Sequence, residues 1–190
     1  MKKRIAILIS GRGSNMETIV KNAQSGRLKD VCEVVLILSN KAYAKGLSVA
    51  EELGVQTAVI TSKGKKRAEF EQELIDFLEP YHLDYIVLAG FMRILSPLFV
   101  RAYRDRIINI HPADTAQFQG IGGYEWAFEN KLQTTKITVH FVDEGVDTGK
   151  VIAQKVVDLR GAGTLEEVER RGLKAEHEFY SEALYALFKQ

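Results

Sequence analysis

Cysteine occurs once in these 190 residues, at Cys32. A lone cysteine excludes an intrachain disulfide and a multi-cysteine metal site. It stands among valines and reads as a small core residue. Proline occurs only three times, and no repeat or low-complexity linker interrupts the chain. Neither sign of charge is in excess: 26 basic and 25 acidic residues leave a formal net charge of +1. That excludes the electrostatic footprint of a nucleic-acid or anionic-membrane binder. No apolar run reaches the ~20 residues of a membrane-spanning helix. Met1-Lys-Lys-Arg4 leads directly into a strand pattern, so no signal peptide and a reducing cytoplasm are expected. The ATP-binding P-loop and the nucleophile elbow of serine hydrolases are both missing.

What is present is an ordinary globular composition, 46% hydrophobic and 27% charged, in a chain long enough for one domain with a substantial core. Arg4–Ser10 is an apolar run of strand length, buried on both faces as in a parallel sheet. Gly11-Arg-Gly-Ser-Asn15 follows, then helical spacing through Met16, Ile19, Val20 and Ala23. Ser14 with Glu17 predicts a capping box. With a strand at Val31–Ser39 this makes a βαβ unit. A phosphate on Gly13, Ser14 and Asn15 suits the free N–H groups of the helix start; a tight turn plus an N-cap is the plainer alternative. A dinucleotide fits poorly. The third glycine of that fingerprint is Met16, and Ser39-Asn40-Lys41 offers no acid for a ribose hydroxyl. This argues against a dehydrogenase.

The pattern continues with a helix at Tyr43–Leu53, a strand at Val55–Ile60, a basic loop at Lys63–Arg67 and an amphipathic helix at Arg67–Glu79 ended by Pro80. Tyr85–Ala89 is another buried strand. Beyond it, Phe91, Met92, Ile94 and Leu95 flank Arg93, as a flat apolar ligand slot or as core cover. Ile107–His111 is a short β-branched strand. Asn109 and His111 alternate with its isoleucines and so leave on one face, while Pro112 ends it. Open α/β sheets place ligand crevices at such carboxyl ends, although both side chains also suit turn hydrogen bonds. Gly122–Asn130 reads as helical and Lys136–Val142 as a half-exposed strand. Asp143–Gly149 reads as a hairpin-like acidic loop and Val151–Val157 as a returning strand. Thr164-Leu-Glu-Glu167 is a second capping box, opening a long helix striped by Leu165, Val168, Gly172, Ala175, Phe179, Ala183 and Ala186. The predicted fold is α/β: a Rossmann-like, doubly wound, mostly parallel mixed sheet in a single domain, its last two strands antiparallel.

Asn109, His111 and Asp147 form a donor, an imidazole and a carboxylate without a metal cluster. With Cys32 buried and no serine elbow, the set suits chemistry in which a substrate amine brings the nucleophile. Asn109 and protonated His111 would donate to the oxyanion, worth roughly 3–4 kcal/mol for one such donor. Asp147 is expected to raise the pKa of His111, keeping it cationic near neutral pH, and to take the amine's proton through a water. The sum is acyl transfer to an amine.

Along nearly its whole length the chain resembles the phosphoribosylglycinamide formyltransferases. The matches are ISGRGSN at 9–15, AGFMRIL at 89–95, INIHP at 108–112, VHFVDEGVDTG at 139–149 and EHEFY at 176–180. The resemblance implies the formyltransferase fold, with a phosphate-binding Rossmann-like half at 1–105 and a catalytic and folate-binding half at 106–190. It implies transfer of the formyl group of 10-formyltetrahydrofolate to the amine of glycinamide ribonucleotide in purine biosynthesis, with no metal. A related formyltetrahydrofolate-dependent formyltransferase or hydrolase with another acceptor is the alternative. By the same resemblance, Asn109, His111 and Asp147 are catalytic. Gly13, Ser14, Asn15 and Glu176 meet the ribonucleotide. Arg67, Met92, Arg93, Ile94, Leu95, Asn109 and Asp143 meet the folate. The implied partners are these small molecules, not nucleic acid or membrane, and a homodimer is left open. Three positions depart from the family. Ala113-Asp-Thr-Ala116 replaces Ser-Leu-Leu-Pro, Gly122-Gly123 stands where a histidine is common, and Leu173 replaces a polar residue.

Overall fold

The computed structural model describes all 190 residues. Its frame is a seven-stranded sheet in the order β3-β2-β1-β4-β5-β6-β7. Strands β1 (Lys3–Ile9), β2 (Cys32–Ser39), β3 (Thr57–Val59), β4 (Tyr85–Leu88) and β5 (Ile107–His111) are parallel, while β6 (Thr134–Phe141) and β7 (Val151–Asp158) run antiparallel. The side-chain period of two splits β1 between two cores. Ile5, Ile7 and Ile9 pack on one face with Met16, Ile19 and Val20 of α1 (Ser14–Ser25) and Phe179, Tyr180 and Leu184 of α6 (Leu165–Phe188). Ala6 and Leu8 pack on the other with Phe70 and Leu74 of α3 (Arg67–Leu78) and Phe99 of α4 (Pro97–Ala102). Helix α2 (Lys45–Glu52) packs beside α1, and α5 (Gly123–Glu129) packs beside α6.

The winding decides where a ligand can sit. From β1 the chain moves outward through β2 to β3, then crosses back past β1 to β4 and β5. The order reverses between β1 and β4, and the carboxyl ends of strands at such a reversal are where open α/β sheets place their ligand crevice. Polar ties hold it in shape. The Ser10 hydroxyl donates to Asn40 Oδ1 at 2.6 Å and accepts from the Met92 N–H at 2.8 Å. Across the crevice, the buried Tyr180 hydroxyl lies 2.9 Å from the Leu88 carbonyl and 3.2 Å from that of Ile108, donating to one at a time. That contact fastens α6 to the ends of β4 and β5.

Several expectations are corrected. Gly13, not Ser14, caps α1; it has φ 77, and no side chain caps the helix. Glu17 instead pairs with Lys21, one turn on, at 2.6 Å. Thr164 does cap α6 through the Glu167 N–H at 3.2 Å, but the Glu167 carboxylate is drawn to Arg171 at 2.5 Å. Strand β3 keeps only three residues. Helix α3 ends at Leu78, and Pro80 falls within a 3-10 turn at Glu79–Tyr81. The half-exposed strand at 136–142 is covered on both faces: Thr138 is 0% and His140 1% exposed. Phe91 and Leu95 turn into the core at 8% and 6% exposure, so only Met92 (62%) and Ile94 (57%) of that group face solvent. Ala186 falls off the buried stripe of α6.

Candidate active site

Strand β5 carries Asn109 and His111 to its carboxyl end, and the β6–β7 connection brings Asp147 over them. Asp147 has φ 52, a left-handed conformation that aspartate and asparagine tolerate better than most residues. Its side chain is 13% exposed and sits between two histidines: Oδ2 lies 3.3 Å from His111 Nδ1, and Oδ1 lies 3.4 Å from His140 Nε2. The Gly120 N–H donates to Oδ2 at 2.8 Å. Burial raises the Asp147 pKa, but the contacts from His140 and Gly120 and the nearby imidazoles outweigh it. The carboxyl is therefore held below the ordinary aspartate value and stays ionised.

His111 does not carry the expected charge. It is 3% exposed, and burial lowers its pKa more than the Asp147 charge and the Phe118 carbonyl raise it. Both ring nitrogens face acceptors: the Phe118 carbonyl at 2.9 Å from Nε2, and Asp147 at 3.3 Å from Nδ1. A neutral imidazole has one N–H to give. That single N–H serves either the Phe118 carbonyl from Nε2 or the ionised Asp147 carboxylate from Nδ1. With the N–H on Nε2, a proton delivered between Nδ1 and Oδ2 is shared by the two groups. His140 Nδ1 faces the Phe141 carbonyl at 2.8 Å, and the Asn109 amide nitrogen lies 3.4 Å from Nε2, so Asn109 and Asp147 meet at one ring nitrogen. Sequence reasoning missed His140. Its signal was present in the alternation of β6, which sets Thr138 and His140 on one face.

The loop beyond Pro112 explains one departure from the family pattern. Asp114 pairs with Lys136 at 2.7 Å and accepts from Gln154 Nε2 and the Ala116 N–H, both at 3.1 Å. Lys136 is the main reason the Asp114 carboxyl lies below its ordinary value. The Thr138 hydroxyl adds a bond to the Ala113 carbonyl at 2.7 Å. A charged lattice thus anchors this loop and aims the Phe118 carbonyl at His111.

The other candidates fall in two groups. At the carboxyl end of β1, Gly13 lies close to α2: a Cβ there would stand 3.0 Å from the Gly46 backbone and 2.9 Å from Met16 Cε. Helix α1 starts here, and its first-turn N–H groups have no partner within the helix. Asn15 Nδ2 donates to Glu176 Oε2 at 2.7 Å, and the Tyr124 hydroxyl donates to Glu176 Oε1. Gly13, Ser14, Asn15 and Glu176 therefore lie together. At the carboxyl end of β4, Met92 and Ile94 are exposed, Arg93 lies over the Phe70 ring at 4.8 Å, and Leu95 is buried away from solvent. Arg67 is exposed at the start of α3, one turn before Phe70. Asp143 folds its own loop, accepting from the Gly145 N–H at 3.0 Å and the Thr148 hydroxyl at 2.6 Å. A cleft of ≈ 440 Å³ lies at the amino ends of β1 and β2, around Lys2, Arg4 and Cys32. It contains none of these groups.

A family model described as formyl transferase matches residues 3–184. The chain is 37% identical over 189 residues to the phosphoribosylglycinamide formyltransferase of Bacillus subtilis (strain 168), covering 97% of this chain and 94% of that one. It is 39% identical over 184 residues to the trifunctional purine biosynthetic protein adenosine-3 of Bos taurus. There the match covers 96% of this chain but 18% of the relative's length. Among solved structures, glycinamide ribonucleotide transformylase 1 from Symbiobacterium toebii superposes with a TM-score of 0.93 at 34% identity, covering 99% of this chain and 88% of that one. The phosphoribosylglycinamide formyltransferase from Brucella melitensis gives a TM-score of 0.92 at 36% identity, covering 100% and 97%.

Proposed function

The chain belongs to the formyl transferase family, among the phosphoribosylglycinamide formyltransferases, and from that premise we propose that it moves the formyl group of 10-formyltetrahydrofolate onto the amine of 5′-phosphoribosylglycinamide. The observation that carries the reading is the meeting of Asn109, His111 and Asp147 at the end of β5. The open start of α1 lies two strands away. Two inter-strand spacings are about 10 Å, a distance suited to a ribose phosphate with a short amide arm. The phosphate sits on the N–H groups at Gly13–Asn15, and Glu176 meets the ribonucleotide beyond it. The folate would be met by Met92, Arg93, Ile94 and Leu95 beyond β4, with Arg67, Asn109 and Asp143.

The amine attacks the formyl carbon, and the carbonyl electrons move onto oxygen. The Asn109 amide donates to that oxyanion. His111 Nε2–H adds a second donor once the formyl oxygen takes the place of the Phe118 carbonyl. Asp147, ionised, accepts the proton the amine loses and shares it with His111 Nδ1. Collapse breaks the bond to folate N10, and the same proton leaves with that nitrogen. One proton moves from amine to leaving group, so no net acid or base is consumed. His111 resting neutral suits this role, since it must gain and lose the proton within one turnover. The site serves a cytoplasmic small-molecule reaction.

The test is absorbance of 10-formyl-5,8-dideazafolate with purified protein, with and without the ribonucleotide. Deformylation that requires the ribonucleotide is expected. Deformylation without it would replace transfer by hydrolysis.

A further inference from the structure

We infer that Tyr124 is a positioning residue for ribonucleotide recognition, acting through Glu176; the inference rests on the formyl-transfer reading above. Glu176 is 6% exposed, and a buried carboxylate is costly unless its oxygens are hydrogen-bonded. Here each oxygen has one protein donor, the Tyr124 hydroxyl on Oε1 and Asn15 Nδ2 on Oε2. The two bonds fix the carboxylate plane and, through it, the Asn15 amide. Asn15 Oδ1 is left buried without a partner. A buried acceptor of this kind, beside the open start of α1, suits a hydroxyl or amide N–H of the acceptor substrate.

The surrounding sequence is shaped to admit this phenol. Tyr124 is 7% exposed, and burial followed by the Glu176 charge drives its pKa far up, so it stays a donor. Gly172 lies one turn before Glu176 on α6, and a Cβ there would overlap the Tyr124 ring. A Cβ at Gly123 would stand 2.6 Å from the Pro112 carbonyl, so the glycine lets α5 seat directly on the loop that follows His111. The Gly122-Gly123 departure and Gly172 together bring Tyr124 to Glu176. Tyr124 thereby joins the loop of the catalytic histidine to the ribonucleotide side.

The experiment combines steady-state kinetics and ribonucleotide calorimetry on the full chain, Tyr124→Phe and Gly172→Ala. Loss of a hydrogen bond to a charged group predicts a rise of roughly ten- to a hundredfold in KM and Kd for the ribonucleotide. Turnover number and donor KM should change by less than about threefold, the signature of lost ground-state binding. Gly172→Ala should show the same split although its tyrosine is intact. Folded Tyr124→Phe with unchanged KM and Kd overturns the inference, as does an equal rise in KM for both substrates. Wild type that binds the ribonucleotide without formyl transfer overturns the reaction, while weaker binding by Tyr124→Phe still upholds the role of Tyr124.

Discussion

Asp147→Asn is the perturbation with the clearest outcome. Asparagine tolerates the left-handed conformation at φ 52, so the loop keeps its shape, whereas alanine would add about 1–2 kcal/mol of backbone strain. The new amide oxygen can still accept from the Gly120 N–H, which now reaches Oδ2 at 2.8 Å. What disappears is the charge 3.3 Å from His111 Nδ1 and 3.4 Å from His140 Nε2. With it goes the only carboxylate touching either ring. His111, already lowered by burial, loses the strongest influence holding its pKa up, so it falls further and gives up its share of the proton. Removing a general base of this type costs typically 10²–10⁴-fold, about 3–5 kcal/mol of transition-state stabilisation at 1.36 kcal/mol per tenfold. The assay is ribonucleotide-dependent deformylation under single turnover, with circular dichroism confirming the fold. A folded variant within threefold of wild type would remove Asp147 from proton transfer.

Asp114→Ala should cost about 2 kcal/mol, the scale of a lost charge-assisted bond with Lys136 left unpaired. At this chain length that lowers Tm by about 4–8 °C, measured by calorimetry. Stability should fall with acid in two windows. His111 has a folded pKa below its unfolded value, so below about pH 6.5 the unfolded chain binds a proton that the fold resists. Asp114 and Asp147 are lowered in the fold, so their stabilisation is complete above their unfolded pKa and is lost as pH falls through the folded values. Urea midpoints from pH 8 to pH 3 check both windows, and His111→Gln should erase the first. Cys32 is 1% exposed, with burial pushing its thiol up to about 12. It should resist iodoacetamide in the native protein and react in urea.

The chain's apolar runs disclose its strands where burial is two-sided. β1 and β5 were legible because β-branched residues fill both faces. Asn109 and His111 stood out as polar exceptions at a strand's end. Helix α6 was legible from its N-cap threonine and its stripe. The details that escaped depend on cover supplied from far along the chain. His140 and Thr138 read as a solvent face because nothing local shows that the 112–120 loop and Asp147 close over β6. The charge of His111 depends on the same cover: spacing discloses the neighbouring carboxylate but not the desolvation that outweighs it. Ser14 looked like a cap because Gly13's left-handed turn, pressed against Gly46, is a tertiary arrangement. Phe91 and Leu95 read equally as slot or core cover because the turn at Gly90, φ 74, decides which side chains go inward.

The direct test of formyl transfer is isotopic. Protein, donor carrying a [13C]formyl group and glycinamide ribonucleotide are followed by carbon NMR. The label should move into the formamide of the ribonucleotide at the rate at which donor is consumed. Label accumulating as free formate, or donor consumed with no labelled ribonucleotide, would contradict the account.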